Sequence, residues 1–176
     1  MLEQHGIAEM RRGLDGGLVV TEPSPDSVIR TASTYLSHVG LTIGAIREVR
    51  LLLEPVGAAF TAERASDEAL AELAADHVRV LTLDSRAAPE AARALHERIA
   101  DLSGNRALAL FTRVMIAAAW GLERRPRLPA DAVETLRKSD TRIMGALRAR
   151  DADRTRRMVE NHLEVTLEWW SVLHDR

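Results

Sequence analysis

Apolar and polar positions alternate along most of the chain with the period of amphipathic helices. From about residue 42 onward, apolar side chains recur at three- and four-residue steps, and capping residues, glycines or prolines stand at the breaks. The predicted helices cover about 24–36, 42–65, a segment that begins at 66–67, 89–102, 105–120, 130–150 and 151–173. We therefore expect an all-α fold, an antiparallel bundle of six to seven helices.

The N-terminal segment departs from the helical pattern. Residues 8–11 and 18–21 alternate in polarity and flank the stretch GLDGG, whose Asp-Gly and Gly-Gly pairs suit the positive φ angles of a tight turn. This pattern predicts a two-stranded β-hairpin. Because such a hairpin is marginal by itself in water, we expect it to lean on a partner. Pro23 and Pro25 then indicate a linker.

Composition narrows the class of protein. The chain has 176 residues, 46% of them hydrophobic and 28% charged, which is typical of one globular domain. It carries no apolar run of membrane-spanning length and no export signal, so we expect no membrane partner and a cytoplasmic location. The net charge of −2 gives no overall attraction to nucleic acid. Cysteine is absent, so a metal site would have to use His, Asp or Glu.

Three polar residues lie on apolar helix faces. His96, Asp140 and His162 each share a face with apolar residues three and four positions away, so all three are predicted to point into the bundle. Burying a carboxylate is costly unless a positive group meets it. Two imidazoles and a carboxylate from three helices are a ligand set for a divalent cation. The alternative is that His96 or His162 neutralises Asp140 without a metal.

Segments in the helical region carry a family resemblance. EVRLLLEPVGAAFTAERAS, LHERIADLSGN and DTRIMGALRARDADRTRRMVENHL occur in this order from about residue 43. They resemble the FCD ligand-binding domain of GntR-type transcription regulators of the FadR-like subfamily. The resemblance implies an effector-binding and dimerisation domain over 42–176, preceded by a linker helix over 24–41.

The N-terminal residues resemble a further part of these regulators. LEQHGIAEMRRGLDGGLVVTEP is similar to the end of the recognition helix, the wing and the linker of a winged helix-turn-helix, which implies a remnant of that module over 1–23. The sequence is compatible with a fragment, an internal start or a naturally short protein. Arg11 and Arg12 are candidate phosphate contacts from the wing. We expect weak or no DNA binding by this chain alone, and binding of an operator by a full-length homodimer.

The family's metal site is an Asp and a His four residues apart on one helix, plus a His on each of the last two long helices. Carried over by position, His96 and His162 are retained, the Asp position holds Ala92, and the middle His position holds Asp140. The resemblance thus implies an altered site of His96, Asp140 and His162 for zinc, nickel or manganese. The alternative is an effector pocket without metal.

The resemblance also implies a small metabolite, such as a carboxylate, as the effector. Arg50 is the candidate effector-binding residue, and its alternative role is a helix-surface pair with Glu54. We expect a ligand-responsive regulator that catalyses no reaction. Two alternatives stay open: a non-haem metalloenzyme with a two-His-one-carboxylate site, and a shortened regulator that acts by heterodimerisation with longer relatives.

Overall fold

The computed structural model describes residues 8–11, 13, 17–20, 24–84, 87–122 and 129–174. Within these residues the chain forms a short antiparallel hairpin followed by seven helices. The elements are β1 (Ala8–Arg11), β2 (Gly17–Val20), α1 (Pro25–His38), α2 (Ile43–Arg64), α3 (Asp67–Leu81), α4 (Ala88–Asp101), α5 (Arg106–Leu122), α6 (Ala130–Arg148) and α7 (Ala152–His174). The prediction of an all-α bundle with a small β-hairpin is confirmed.

The hairpin forms, with its second strand one residue earlier than the sequence predicts. Ala8 pairs with Val20 and Arg11 with Gly17. Gly13, in the connection, has a φ of 129°, a conformation that residues with a Cβ rarely adopt. Met10 and Leu18 are more than half exposed, so the hairpin presents apolar side chains to solvent. The side chain of Arg11 and the whole of Arg12 lie outside the described residues, so their proposed contacts with phosphate stay predictions.

Local capping sets several helix starts where the sequence predicts them. The side chains of Ser24, Ser66, Asn105 and Asp151 each accept a hydrogen bond from a backbone N–H two or three residues ahead, at 2.9–3.2 Å. Each bond satisfies one of the N–H groups that the first helical turn leaves without a partner. Helix α4 differs, because its N-cap residue makes no side-chain cap. Its first turn contains Pro89, which needs no N–H partner.

Helix α2 lies at the centre of the bundle and packs against α4, α5, α6 and α7. The main core joins α2, α3, α4, α6 and α7 through residues such as Leu73, Leu147 and Leu163, which are fully buried. Helix α5 approaches α2 closely at Gly57, where an added Cβ would lie 2.7 Å from Leu108 Cδ2. This packing places one face each of α2, α4 and α7 around a common interior space.

The junction after α6 is tied to the end of α2. Arg150 adopts a φ of 57° and donates hydrogen bonds to the carbonyl oxygens of Ala62 and Ala65, near the end of α2. Its guanidinium also meets the Asp67 carboxylate at 2.5 Å. These bonds satisfy carbonyl groups that the last turn of a helix leaves open. Among the described residues, none of the helices combines the length and apolar character needed to cross a membrane.

Candidate metal and effector site

The three residues predicted to point inward meet in the structure. His96 comes from α4, Asp140 from α6 and His162 from α7, and all three are buried. Each offers one potential ligand atom, an imidazole nitrogen or a carboxylate oxygen, and these three atoms lie within 4.8 Å of one another. Each residue lies on the apolar face of its helix, and that face points into the interior of the bundle.

The two imidazoles face each other directly. His96 Nε2 lies 3.0 Å from His162 Nε2, and the ring centroids are 4.7 Å apart. Two nitrogens bound to one ion at about 2.1 Å each lie roughly 3.0–3.4 Å apart, so this spacing suits a shared ion. Without an ion, the two Nε2 atoms can share only one proton, because a hydrogen bond needs one donor and one acceptor.

A buried chain of charged groups orients His96. Arg50 Nε donates to Glu54 Oε1 at 2.5 Å, and Glu54 Oε2 accepts from His96 Nδ1 at 2.9 Å. The Nδ1 proton of His96 is therefore held by the carboxylate, and its Nε2 is directed toward His162. A carboxylate behind a histidine is the usual partner that fixes the orientation of a metal-binding imidazole.

His162 is oriented from the other side. Its Nδ1 lies 3.1 Å from Ser139 Oγ and 3.1 Å from Asp140 Oδ1. Asp140 Oδ1 is also 3.9 Å from His96 Nε2. The geometry of these contacts leaves Asp140 Oδ1 buried without a hydrogen bond from any described residue. A buried carboxylate oxygen in this state is expected to have an unseen partner, and a cation is one that fits.

The surroundings separate the pKa values of the four titratable groups. Burial opposes ionisation of Glu54, but Arg50 and His96 outweigh it and lower the pKa of Glu54 to about 2. Burial disfavours charge on His96, yet its hydrogen bond to Glu54 and the charges of Glu54 and Asp140 raise the pKa of His96. Burial and the charge of His96 hold the pKa of His162 well below its usual value. Burial raises the pKa of Asp140 to about 6.

A cavity of about 80 Å³ opens beside the two histidines. Its wall includes His96, His162, Arg50, Arg93, Trp120 and Ala92. Asp140 instead borders a smaller space of about 20 Å³, which shares Ala92 with the main cavity. Ala92 therefore borders both the cavity and the space beside Asp140.

The position of Arg50 is compatible with both roles that the sequence allows. It borders the cavity, as expected of an effector-binding residue, and it also pairs with Glu54 four residues on. The pair is not on the surface, because the exposed fractions of the two side chains are only 10% and 4%. The positive charge of Arg50 is thus already matched by a buried carboxylate.

Several residues of the site were not assigned a role from the sequence. The sequence indicates Glu54 only as a surface partner of Arg50, because its contact with His96 joins residues 42 positions apart. Ser139 precedes Asp140, and a hydroxyl next to an inward carboxylate is the only local signal for it. The sequence assigns no role to Trp120, and the structure places it at the cavity wall.

Comparison with known proteins agrees with this architecture. Residues 45–165 match the family model described as the FCD domain. The chain is 28% identical to the HTH-type transcriptional repressor NanR of Cronobacter sakazakii, over 99% of this chain and 69% of that protein. Streptococcus agalactiae GntR has the same fold, with a TM-score of 0.70 and 18% identity over 95% of this chain and 77% of that one. E. coli McbR/YncC gives a TM-score of 0.60 at 16% identity, over 95% of this chain and 78% of that one.

Proposed function

We propose that this chain, which belongs to the FCD domain family, is the effector-binding part of a ligand-responsive transcription regulator. In this proposal His96, Asp140 and His162 hold a divalent ion, and a small carboxylate binds beside them in the cavity. One observation carries the proposal: two facing imidazoles border a cavity, and an unsatisfied buried carboxylate oxygen lies 3.1 Å from one of them.

The donor set fits a divalent transition metal. Imidazole nitrogens with a carboxylate oxygen suit zinc, nickel and manganese, and three protein ligands leave positions open for a further ligand. When bound, the ion would supply a Lewis-acidic contact for an effector carboxylate. The protein contributes the orientation of the ligands, because Glu54 holds His96 and Ser139 contacts His162. The cavity, of about 80 Å³, favours a small molecule.

The position of α5 supports a route from the effector to the DNA-reading part of a longer regulator. Ala119 borders the cavity and also belongs to an apolar cluster with Ile46, against which Leu36 and Leu41 pack. Leu36 lies on α1, the helix that follows the proposed wing remnant at 1–23. A ligand shifts an equilibrium only if it prefers one state, so an effector that displaces α5 would change how α1 packs.

Metal binding tests the proposal directly. Protein purified without chelator should take up one equivalent of Zn²⁺, Ni²⁺ or Mn²⁺, measured by isothermal titration calorimetry and elemental analysis. His96→Ala and His162→Ala should each weaken binding by at least about a hundredfold, because loss of an outer partner alone typically costs 10–100-fold. Asp140→Asn should weaken it as well, because it replaces a charged ligand by a neutral amide.

A second buried histidine provides the control. His77 lies between α3 and α6 and contacts Thr141 Oγ1 at 3.0 Å, away from the cluster. His77→Gln should therefore leave the metal affinity unchanged, and far-UV circular dichroism should confirm that all variants are folded. Failure of the folded wild type to bind any of the three ions at micromolar concentration would refute the metal site and favour a pocket without metal.

We also propose that the chain forms a homodimer through α2 and α5. These helices pack against each other and carry exposed apolar side chains, namely Val49, Leu52 and Phe111, with exposed fractions of 37%, 71% and 58%. Leu52→Glu should weaken the dimer by about tenfold or more, since it places a charge in a desolvated contact. Sedimentation velocity over a range of protein concentrations measures this change.

An exposed apolar residue elsewhere controls for surface charge. Val78 on α3 has an exposed fraction of 60%, and Val78→Glu should leave self-association unchanged. Equal effects of Leu52→Glu and Val78→Glu would contradict the assignment of this surface.

A further inference from the structure

Arg93 is a second arginine at the wall of the cavity. It lies three residues before His96 on α4, so the two side chains project from adjacent turns of one helix face. Its Nη2 donates to Glu90 Oε1 at 2.6 Å, and its Nη1 donates to Glu97 Oε1. Its guanidinium carbon is 5.6 Å from the centroid of the Trp120 ring, which also borders the cavity. The ring and the two glutamates hold this cation at the cavity.

One donor of the Arg93 guanidinium is still available for a hydrogen bond. The Nε atom is buried and has no hydrogen-bond partner among the residues that the structure describes. Arg50 differs, because its Nε is already bonded to the buried carboxylate of Glu54. An Nε–H beside a neighbouring Nη–H is the donor pair that a carboxylate can bind with both oxygens. Arg93 is therefore a cavity arginine whose Nε can still donate to a ligand.

The partners of Arg93 can yield to a ligand. The Glu90 side chain is 55% exposed, so its carboxylate can turn to water if another carboxylate takes its place. Side chains three residues apart on a helix have Cβ atoms about 5–6 Å apart. A ligand that reaches both the cluster at His96 and the guanidinium of Arg93 therefore needs two acceptor groups joined by a short spacer. The Trp120 ring offers an apolar face for that spacer.

We infer that Arg93 binds a second carboxylate of the effector and makes the cavity selective for a short dicarboxylate over a monocarboxylate of equal length. This inference rests on the proposed function, in which the first carboxylate binds at the histidine cluster. Arg93 is then the residue that determines specificity, and Arg50 supports the site through Glu54 and His96.

Succinate and butyrate are matched probes, because they have the same number of carbons and differ by one carboxylate. Binding of each to Zn²⁺-saturated protein is measured by calorimetry at constant ionic strength. We expect the wild type to bind succinate about tenfold or more tightly than butyrate, as a charge-assisted hydrogen-bonded pair provides. Arg93→Gln should reduce this ratio to about one, mainly by weakening succinate. Arg93→Lys, which keeps the charge but loses the planar fork, should give an intermediate ratio.

Arg98 provides the control on the same helix. Its guanidinium pairs with Glu72, away from the cavity, and its side chain is 47% exposed. Arg98→Gln should keep the wild-type ratio. An unchanged ratio in folded Arg93→Gln would overturn the inference and leave the carboxylate effector standing. If the wild type binds neither probe, the carboxylate effector and the inference both fail, while calorimetry with the metal alone still decides the metal site.

Discussion

Replacing Glu54 with leucine should lower the free energy of unfolding by about 3–5 kcal/mol, the range measured when one partner of a buried ion pair is removed. The substitution leaves the Arg50 guanidinium buried without its carboxylate and takes the hydrogen-bond acceptor from His96 Nδ1. Urea unfolding followed by far-UV circular dichroism measures the change, at a fixed protein concentration and in the presence of chelator.

Two further variants identify the cause of that loss. Glu63 is an exposed carboxylate on the same helix, so Glu63→Leu should change the free energy of unfolding by no more than about 0.5 kcal/mol. The double variant Arg50→Met with Glu54→Leu removes both charges, and it should be more stable than Glu54→Leu alone. If Glu54→Leu behaves like Glu63→Leu, the pair is not the buried element described above.

The same substitution should also act on the metal. Without the carboxylate, the His96 ring loses the partner that fixes its orientation, so metal affinity should fall by about 10–100-fold in the fraction that remains folded. Glu54 does not line the cavity, so it is a positioning residue. Calorimetry on the folded variant separates this effect from the loss of stability.

The sequence predicts well those features that depend on near neighbours. Helix starts at Ser66, Asn105 and Asp151 follow from a side chain and an N–H two or three residues apart. The inward direction of His96 and His162 follows from the helical period of apolar residues, because the period fixes which face is buried. Both kinds of signal are contained in a window of a few residues.

Contacts between residues far apart in the sequence could not be predicted from such short windows. The helical period places His96 on a buried face, but its contact with Glu54 depends on how α2 and α4 pack. Trp120 illustrates the same limit, because a large apolar ring looks alike in a core, at a dimer surface and on a cavity wall. The number of carboxylates near the histidines is likewise a property of the packed bundle, not of one helix.

Ala92→Asp should tighten metal binding by about tenfold or more, equivalent to ~1.4 kcal/mol. The family resemblance places an aspartate at this position, and the structure places Ala92 one helical turn before His96, at the wall of both the cavity and the space beside Asp140. A carboxylate there would project from the same face of α4 as His96, one turn away. It would add an anionic oxygen ligand to a set that has one carboxylate.

The opposing effect in this variant is repulsion between carboxylates. Two of them close together disfavour joint ionisation, so metal-free Ala92→Asp should be less stable than the wild type, and saturating metal should recover that stability. Ala94→Asp adds the same charge on the exposed face of α4 and should change neither quantity. Ala92→Asn has the shape of the aspartate without its charge, so it should lack most of the gain in metal affinity. If Ala92→Asp and Ala94→Asp bind Zn²⁺ with the same affinity, the cluster does not hold the ion. A carboxylate added beside His96 would change the affinity of an ion bound at the cluster.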